Sequence, residues 1–220
     1  AIGKALAIDD LKKDHDAVIV AVGLAKAKML PMFEHNICTE SAISFLARAK
    51  ESKGELTNLP DNVLVIGGGD VAMDVVTTLK RLGVNHVTDV VYEEFKEFKA
   101  SKKELAGAQA QGVTIVDGYV PTGVRQNKVT FKARNIESEM TITADKIILA
   151  VGQKADMSDL GIDLQHNEVP FRAAKYRTPD PRIFATGDIV AGDQTVVYAV
   201  QKGKEVAEEV DQVLGGSSND

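Results

Sequence analysis

Residues 62–74 read NVLVIGGGDVAMD, and the fold turns on how this stretch is read. The apolar run Val63, Leu64, Val65 and Ile66 suits a strand buried on both faces, as in a parallel sheet covered by helices. After the glycines, Ala72, Val75, Val76, Leu79 and Leu82 recur at helical spacing, with Gly83 as a stop. Between strand and helix, Gly67, Gly69 and Ala72 fit G-x-G-x-x-G/A, in the context that a dinucleotide fingerprint demands. Each position has a physical reason. Gly67 permits the tight turn, Gly69 has no side chain to hold a pyrophosphate off the backbone, and Ala72 lets the helix lie close to the strand. The helix start adds unpaired N–H groups and about half a positive charge. No Gly-Lys-Ser/Thr follows, which excludes a Walker-type phosphate loop. Gly68, Asp70, Val71 and Asp74 complete the expected cofactor-binding turn. Asp70 favours the helix dipole and is expected to point away from the phosphates. Asp74, one turn on, could meet a neighbouring loop or the nicotinamide end.

Working outward, HVTDVVY (86–92) reads as a strand, SKKELAGAQAQ (101–111) as a helix ended by Gly112, and VTIV (113–116) as the next strand. Strand and helix alternate with short connections, the pattern of an α/β, doubly wound parallel sheet of Rossmann-like type. Residues 118–133, GYVPTGVRQNKVTFKA, alternate around RQNK and suggest an antiparallel hairpin. From Thr195 onward, Val196, Val200, Gly203, Ala207, Val210 and Leu214 are expected on one helical face, and the tail 215–220 is expected to be disordered. DAVIVAVG (16–23) and DKIILAVG (145–152) repeat the strand-then-glycine shape of the central segment without its fingerprint.

The end of the second strand normally meets the adenosine ribose, where a carboxylate accepts from the 2′-hydroxyl. Here it reads VVYEEF, which places Glu93 and Glu94 at that sugar, with Tyr92 among the expected cofactor-binding residues. A carboxylate repels a 2′-phosphate, so NAD(H) is expected to be preferred over NADP(H). The rival reading has both glutamates on a solvated loop, with Lys96 or Lys99 compensating.

Composition narrows the function. The 220 residues carry 26 basic and 32 acidic side chains, a formal net charge of −6, which disfavours a nucleic-acid backbone or an anionic membrane as partner. The single cysteine, Cys38, rules out an internal disulfide framework and an iron–sulfur cluster held by this chain alone, and it suits a reducing, cytoplasmic setting. Cys38 reads as a small apolar core residue, since no second cysteine exists to resolve it. His15, His35, His86 and His166 show no ligand spacing, so no metal site is expected. No apolar run approaches the roughly 20 residues of a membrane helix, and the N-terminus has no signal-peptide pattern. Tyr198 and Lys202 in YAVQK imitate the Tyr-x-x-x-Lys of short-chain dehydrogenases, but the glycine spacing differs and the helix comes at the wrong end of the fold.

With these residues placed, LPDNVLVIGGGDVAMDVV, VTDVVYEE and TPDPRIFATGDIVAGDQTVVYAVQKGKEVAEEV resemble the glutamate synthase small (β) subunit family. That family includes reductase modules of dihydropyrimidine dehydrogenases and putative selenate reductases. The resemblance covers nearly the whole chain. It implies an NAD(P) domain inserted into an FAD domain, with DAVIVAVG as the chain leaving the FAD domain and DKIILAVG as its return. The implied layout is 1–60 as partial FAD domain, 61–150 as NAD(P)-binding domain and 151–214 as the C-terminal FAD segment. It further implies that Val151, Gly152 and Gly187 line cofactor and that Asp188 bonds the flavin's ribityl or pyrophosphate region. The backbone at Thr195 and Val196 would face the isoalloxazine. Hydride would pass from NAD(P)H to FAD, and electrons onward to another cofactor or subunit, with no catalytic base named. Two departures stand out. The family usually carries an Arg pair where this chain has Glu93 and Glu94. The first FAD segment and the N-terminal iron–sulfur cysteines are absent, as in the C-terminal part of a longer reductase. On that reading the chain alone is inactive and FAD binding to it is doubtful. The rival function is a non-catalytic NAD(H)-binding sensor or assembly module.

Overall fold

The computed structural model describes residues 6–98, 100–162, 169 and 176–215. The chain forms two compact units, one of them Ala27–Gly152 and the other built from the segments on either side. The unit Ala27–Gly152 is inserted in sequence between those two segments. Residues 27–60 belong to it because they supply an edge strand and a helix. Thr39–Ser41 pairs in parallel with Lys146–Leu149, and Ala42–Glu51 buries Ala42, Phe45 and Ala49 in its core.

That unit is built on a five-stranded parallel sheet in the order Thr39–Ser41, Lys146–Leu149, Asn62–Ile66, His86–Val90, Thr114–Val116. The continuous apolar run of the central strand has a simple cause: both faces are covered. Val63 and Val65 pack among the helices Ala42–Glu51, Asp70–Arg81 and Lys102–Ala110, while Leu64 and Ile66 pack against Phe33, Val129 and Phe131. Ser41 and Ser101 cap their helices by accepting from the amides of Ser44 and Glu104, each at 3.2 Å.

The expected hairpin is a three-stranded antiparallel sheet: Tyr119–Arg125, Lys128–Ala133 and Glu139–Thr143. Its third strand, EMTIT, alternates Met140 and Ile142 toward the core with exposed Glu139, Thr141 and Thr143, a period of two that only the sheet partner makes decisive.

One core position breaks the apolar pattern. Asp89 lies in register between Val65 and Ile115, is 0% exposed, and neither carboxylate oxygen finds a hydrogen-bond partner among the described residues. Burial pushes its carboxyl well above the ordinary value.

The flanking unit pairs Val18–Val20 with Ile183–Ala185 in parallel and packs the helix Val196–Val213 against a core containing Val20, Tyr176, Phe184, Ile189 and Val206. The buried face of that helix differs from the expected one. Val196, Val197 and Val200 are 81%, 80% and 56% exposed and Leu214 is 54% exposed, while Lys202 and Val206 are buried. Polar contacts set this rotation. Lys202 Nζ donates to Gly187 O at 3.4 Å and Val190 O at 3.3 Å, and Tyr176 donates to Glu205 and Glu209 from its hydroxyl and its amide. His166 and residues 216–220 lie outside the described residues. Among the described residues no helix is long and apolar enough to cross a membrane, and no group of three or more His, Cys, Asp or Glu could hold a metal.

Candidate dinucleotide-binding site

The turn after Asn62–Ile66 is held by strands on either side. Gly67 N donates to Val90 O at 3.1 Å, and Ala150 N donates to Ile66 O at 2.9 Å. A Cβ on Gly67 would sit 2.3 Å from Ala150 O, so backbone packing against the next strand, besides the turn itself, demands glycine there. Gly68, the variable position of the fingerprint, is crowded by side chains instead: its Cβ would lie 2.3 Å from Val91 Cγ1 and 3.0 Å from Glu93 Oε2. Gly69 is different. It is the N-cap of Asp70–Arg81, and nothing lies within 4 Å of where its Cβ would be.

The recess beside Gly69 is thus open and lined by backbone. Ala72 N and Met73 N close on Gly69 O at 2.9 and 3.2 Å, and the amides of Gly68, Gly69, Asp70 and Val71 have no acceptor among the described residues. Ala72 is fully buried, which fits its role in close helix–strand packing. Val71 is half-buried, and Asp70 and Asp74 are exposed. A side-chain-free recess with free amides at a helix start fits the diphosphate of a nucleotide.

The acidic pair divides its work. The carboxylate of Glu93 reaches the glycine turn, as its 3.0 Å approach to the Gly68 Cβ position shows. Glu94 instead builds its own loop. It caps the short helix Phe95–Glu97, accepts from Asn135 Nδ2 and pairs with Lys96 Nζ at 2.9 Å. The Lys96 ammonium first, then the Asn135 amide, hold its carboxyl below the ordinary value. Tyr92 is 53% exposed, with the Arg134 guanidinium 4.0 Å above its ring. The neighbouring loop is tied down by Phe95 N donating to Asp117 at 2.8 Å and Gly118 N donating to Glu93 O at 3.1 Å.

Val151 and Gly152 close the inserted unit. Val151 packs against its core, and Gly152 is exposed and accepts from Lys28 N at 3.0 Å. Gly187, Asp188, Thr195 and Val196 belong to the other unit. Gly187 opens a short helix at φ +77°, Asp188 is half-buried, and Thr195 caps the long helix through the Tyr198 amide at 3.3 Å. Beside Gly187, Thr186 is 4% exposed and its hydroxyl has no partner among the described residues. An orphaned hydroxyl beside a glycine turn and a carboxylate in the chain fits a polar cofactor chain such as a flavin's.

Residues 4–203 match the pyridine nucleotide-disulphide oxidoreductase family. The chain belongs to that family. It is 50% identical over 217 residues to the NAD-dependent dihydropyrimidine dehydrogenase subunit PreT of Escherichia coli O157:H7, covering 98% of this chain and 52% of that protein. The glutamate synthase [NADPH] small chain of Escherichia coli (strain K12) is more distant, 28% identical over 94% of this chain and 52% of its own length. The chain spans about half the length of the curated relatives it matches. Its fold is that of thioredoxin reductase from T. acidophilum, at a TM-score of 0.70 and 20% identity, covering 89% of this chain and 65% of that one. The likeness to the glutamate synthase small subunit is therefore real but remote, and the dihydropyrimidine dehydrogenase subunits stand much nearer.

Arg134, Asn135 and the constraint on Gly68 escape a reading by motif. Arg134 and Asn135 are some 40 residues from the glutamates they serve, and no local spacing connects them.

Proposed function

We propose that this chain is the NADH-binding part of a flavoprotein oxidoreductase in which hydride passes from NAD(P)H to FAD, and electrons then go to another cofactor or a partner subunit. One observation carries the reading: Glu93 overhangs a glycine turn whose Gly69 side is open and whose amides have no acceptor among the described residues. The amides would take the diphosphate, and the Glu93 carboxylate would accept from the adenosine 2′-hydroxyl. The same carboxylate would repel a 2′-phosphate, so NAD(H) is favoured over NADP(H). The 50% identical relative is itself named NAD-dependent, which supports this preference.

The cofactors would supply the redox chemistry, hydride donation by the nicotinamide and acceptance by the flavin. This chain's residues bind and orient. Gly67, Gly68 and Ala72 set the turn, and Gly69, Asp70 and Val71 present amides. Asp188 and Thr186 would hold the flavin's polar chain, and the backbone at Thr195 and Val196 would border its ring. Such a transfer needs alignment at about 3–3.5 Å more than acid–base help. No side chain here is assigned a proton. The other half of the FAD site would come from sequence outside this chain, and the setting we favour is cytoplasmic.

Calorimetric titration with NADH and NADPH tests the binding half. Wild type should take NADH more tightly, and Glu93→Arg should reverse the order. NADPH bound more tightly by wild type would refute the preference, and no heat with either at millimolar levels would refute the site. Reconstitution with the N-terminal half of a full-length relative, followed by stopped-flow reduction of flavin by NADH, tests the redox half. A complex that binds NADH without reducing flavin would point to a non-catalytic NAD(H)-binding module.

A further inference from the structure

We propose that Tyr92, backed by Arg134, is the platform on which the adenine of the dinucleotide stacks. The inference rests on the dinucleotide reading above and extends it to a residue on a distant loop.

Tyr92 follows Val91, which is fully buried, yet is itself 53% exposed at the end of the second strand's path. An exposed tyrosine there would ordinarily be free to turn. This one is held. The Arg134 guanidinium lies 4.0 Å from the ring centroid, and its Nη1 donates to Tyr92 O at 3.1 Å. Arg134 is anchored in turn, since its amide donates to Gly118 O at 2.9 Å and its side chain pairs with Glu97 at 3.5 Å. Its neighbour Asn135 binds Glu94. The segment after Lys128–Ala133 is thus stitched to the loop carrying the acidic pair.

The consequence is a flat surface fixed beside Glu93. With the ribose hydroxyls at Glu93, the base attached to the same sugar falls within one nucleoside's reach of Tyr92. One face of that ring is covered by the guanidinium, which leaves the other side for the base. Every base offers a π-face, so stacking needs no donor or acceptor pattern. Arg134 acts here as a backing group, its Nη1 engaged by Tyr92 O and Glu97. Three carboxylates, those of Glu93, Glu94 and Glu97, also line this loop.

The test titrates NADH, NADPH, ADP-ribose and reduced nicotinamide mononucleotide, which lacks the adenosine half, into wild type, Tyr92→Leu, Tyr92→Phe, Arg134→Lys and Arg134→Ala. Tyr92→Leu should weaken NADH and ADP-ribose about tenfold or more and leave the mononucleotide unchanged. Tyr92→Phe should match wild type, and Arg134→Lys should lie between wild type and Arg134→Ala. Tyr92→Leu within twofold of wild type for NADH, or equal losses for the mononucleotide, would overturn the platform while the dinucleotide site stands. Selective loss of NADPH in Arg134→Ala would instead make Arg134 a phosphate anchor and also overturn it. Failure of wild type to bind either dinucleotide would remove the parent reading, a result distinct from both.

Discussion

Asp89→Val is expected to stabilise the inserted unit, because it removes an acid from a place where nothing offsets its burial. The side chain is 0% exposed, lies between Val65 and Ile115 in the sheet, and has no partner for either oxygen among the described residues. Leaving a buried polar group unsatisfied costs about 1–3 kcal/mol, and valine adds apolar burial with good strand geometry. A gain of about 2 kcal/mol at low pH follows, and it should widen as the pH rises. The folded-state pKa of Asp89 is raised, so the native protein keeps a proton that the unfolded chain releases above about pH 4. Its contribution is therefore undiminished below that pH and is lost as pH rises toward the folded-state value, at up to about 1.4 kcal/mol per unit. Asp89→Asn preserves the shape and the polar penalty but abolishes the titration, so it separates the two effects. Urea unfolding of the three proteins, followed by circular dichroism at pH values of about 4, 5.5 and 7, measures both. Carboxylates with lowered pKa, such as Asp10, Asp156 and Asp180, give the opposite slope but are common to all three and cancel in the differences. Parallel pH dependences for wild type and Asp89→Asn, or an Asp89→Val protein less stable than wild type, would refute the reasoning.

The glycine turn gives a paired prediction. Gly67→Ala drives a Cβ to 2.3 Å from the Ala150 carbonyl oxygen and should cost at least about 1–3 kcal/mol in thermal or urea unfolding. Gly69→Ala meets nothing within 4 Å and has φ −102°, so it should unfold within about 1 kcal/mol of wild type yet lose NADH affinity in calorimetry, because the methyl fills the recess. For Glu94, an NMR titration should find the carboxyl below its ordinary value, moving up toward it in Lys96→Met; an unchanged midpoint would mean that Lys96 is not its main partner. Lys202→Met should release the carbonyls of Gly187 and Val190, and faster amide exchange across 187–190 with the rest of the flanking unit unchanged would show it.

Much of the candidate site was legible because its determinants are local. The strand, the three glycines, Ala72 and the apolar spacing of the helix fall within about twenty consecutive residues, and backbone sterics tie each residue type to its place. The doubly wound alternation and the acidic strand end followed from the same short-range periodicity. Other features depend on neighbours that sequence separation hides. Glu93 and Glu94 look equivalent in VVYEEF, and contacts with Asn135, Lys96 and Gly68 give them different tasks. The edge strand Thr39–Ser41 is too short to announce itself, and it exists because Lys146–Leu149 runs beside it. The long C-terminal helix carries enough apolar residues for more than one face, and hydrogen bonds from Lys202, with those joining Tyr176 to Glu205 and Glu209, selected which one is buried. The chain's own order thus determined the turn and the class of ligand it suits, since those rest on torsions and spacing within one strand–helix unit. Which side chain overhangs the turn, which acid is buried without a partner and which arginine backs Tyr92 were decided by tertiary packing, because desolvation and contact depend on residues brought together from some 20 to 80 positions apart.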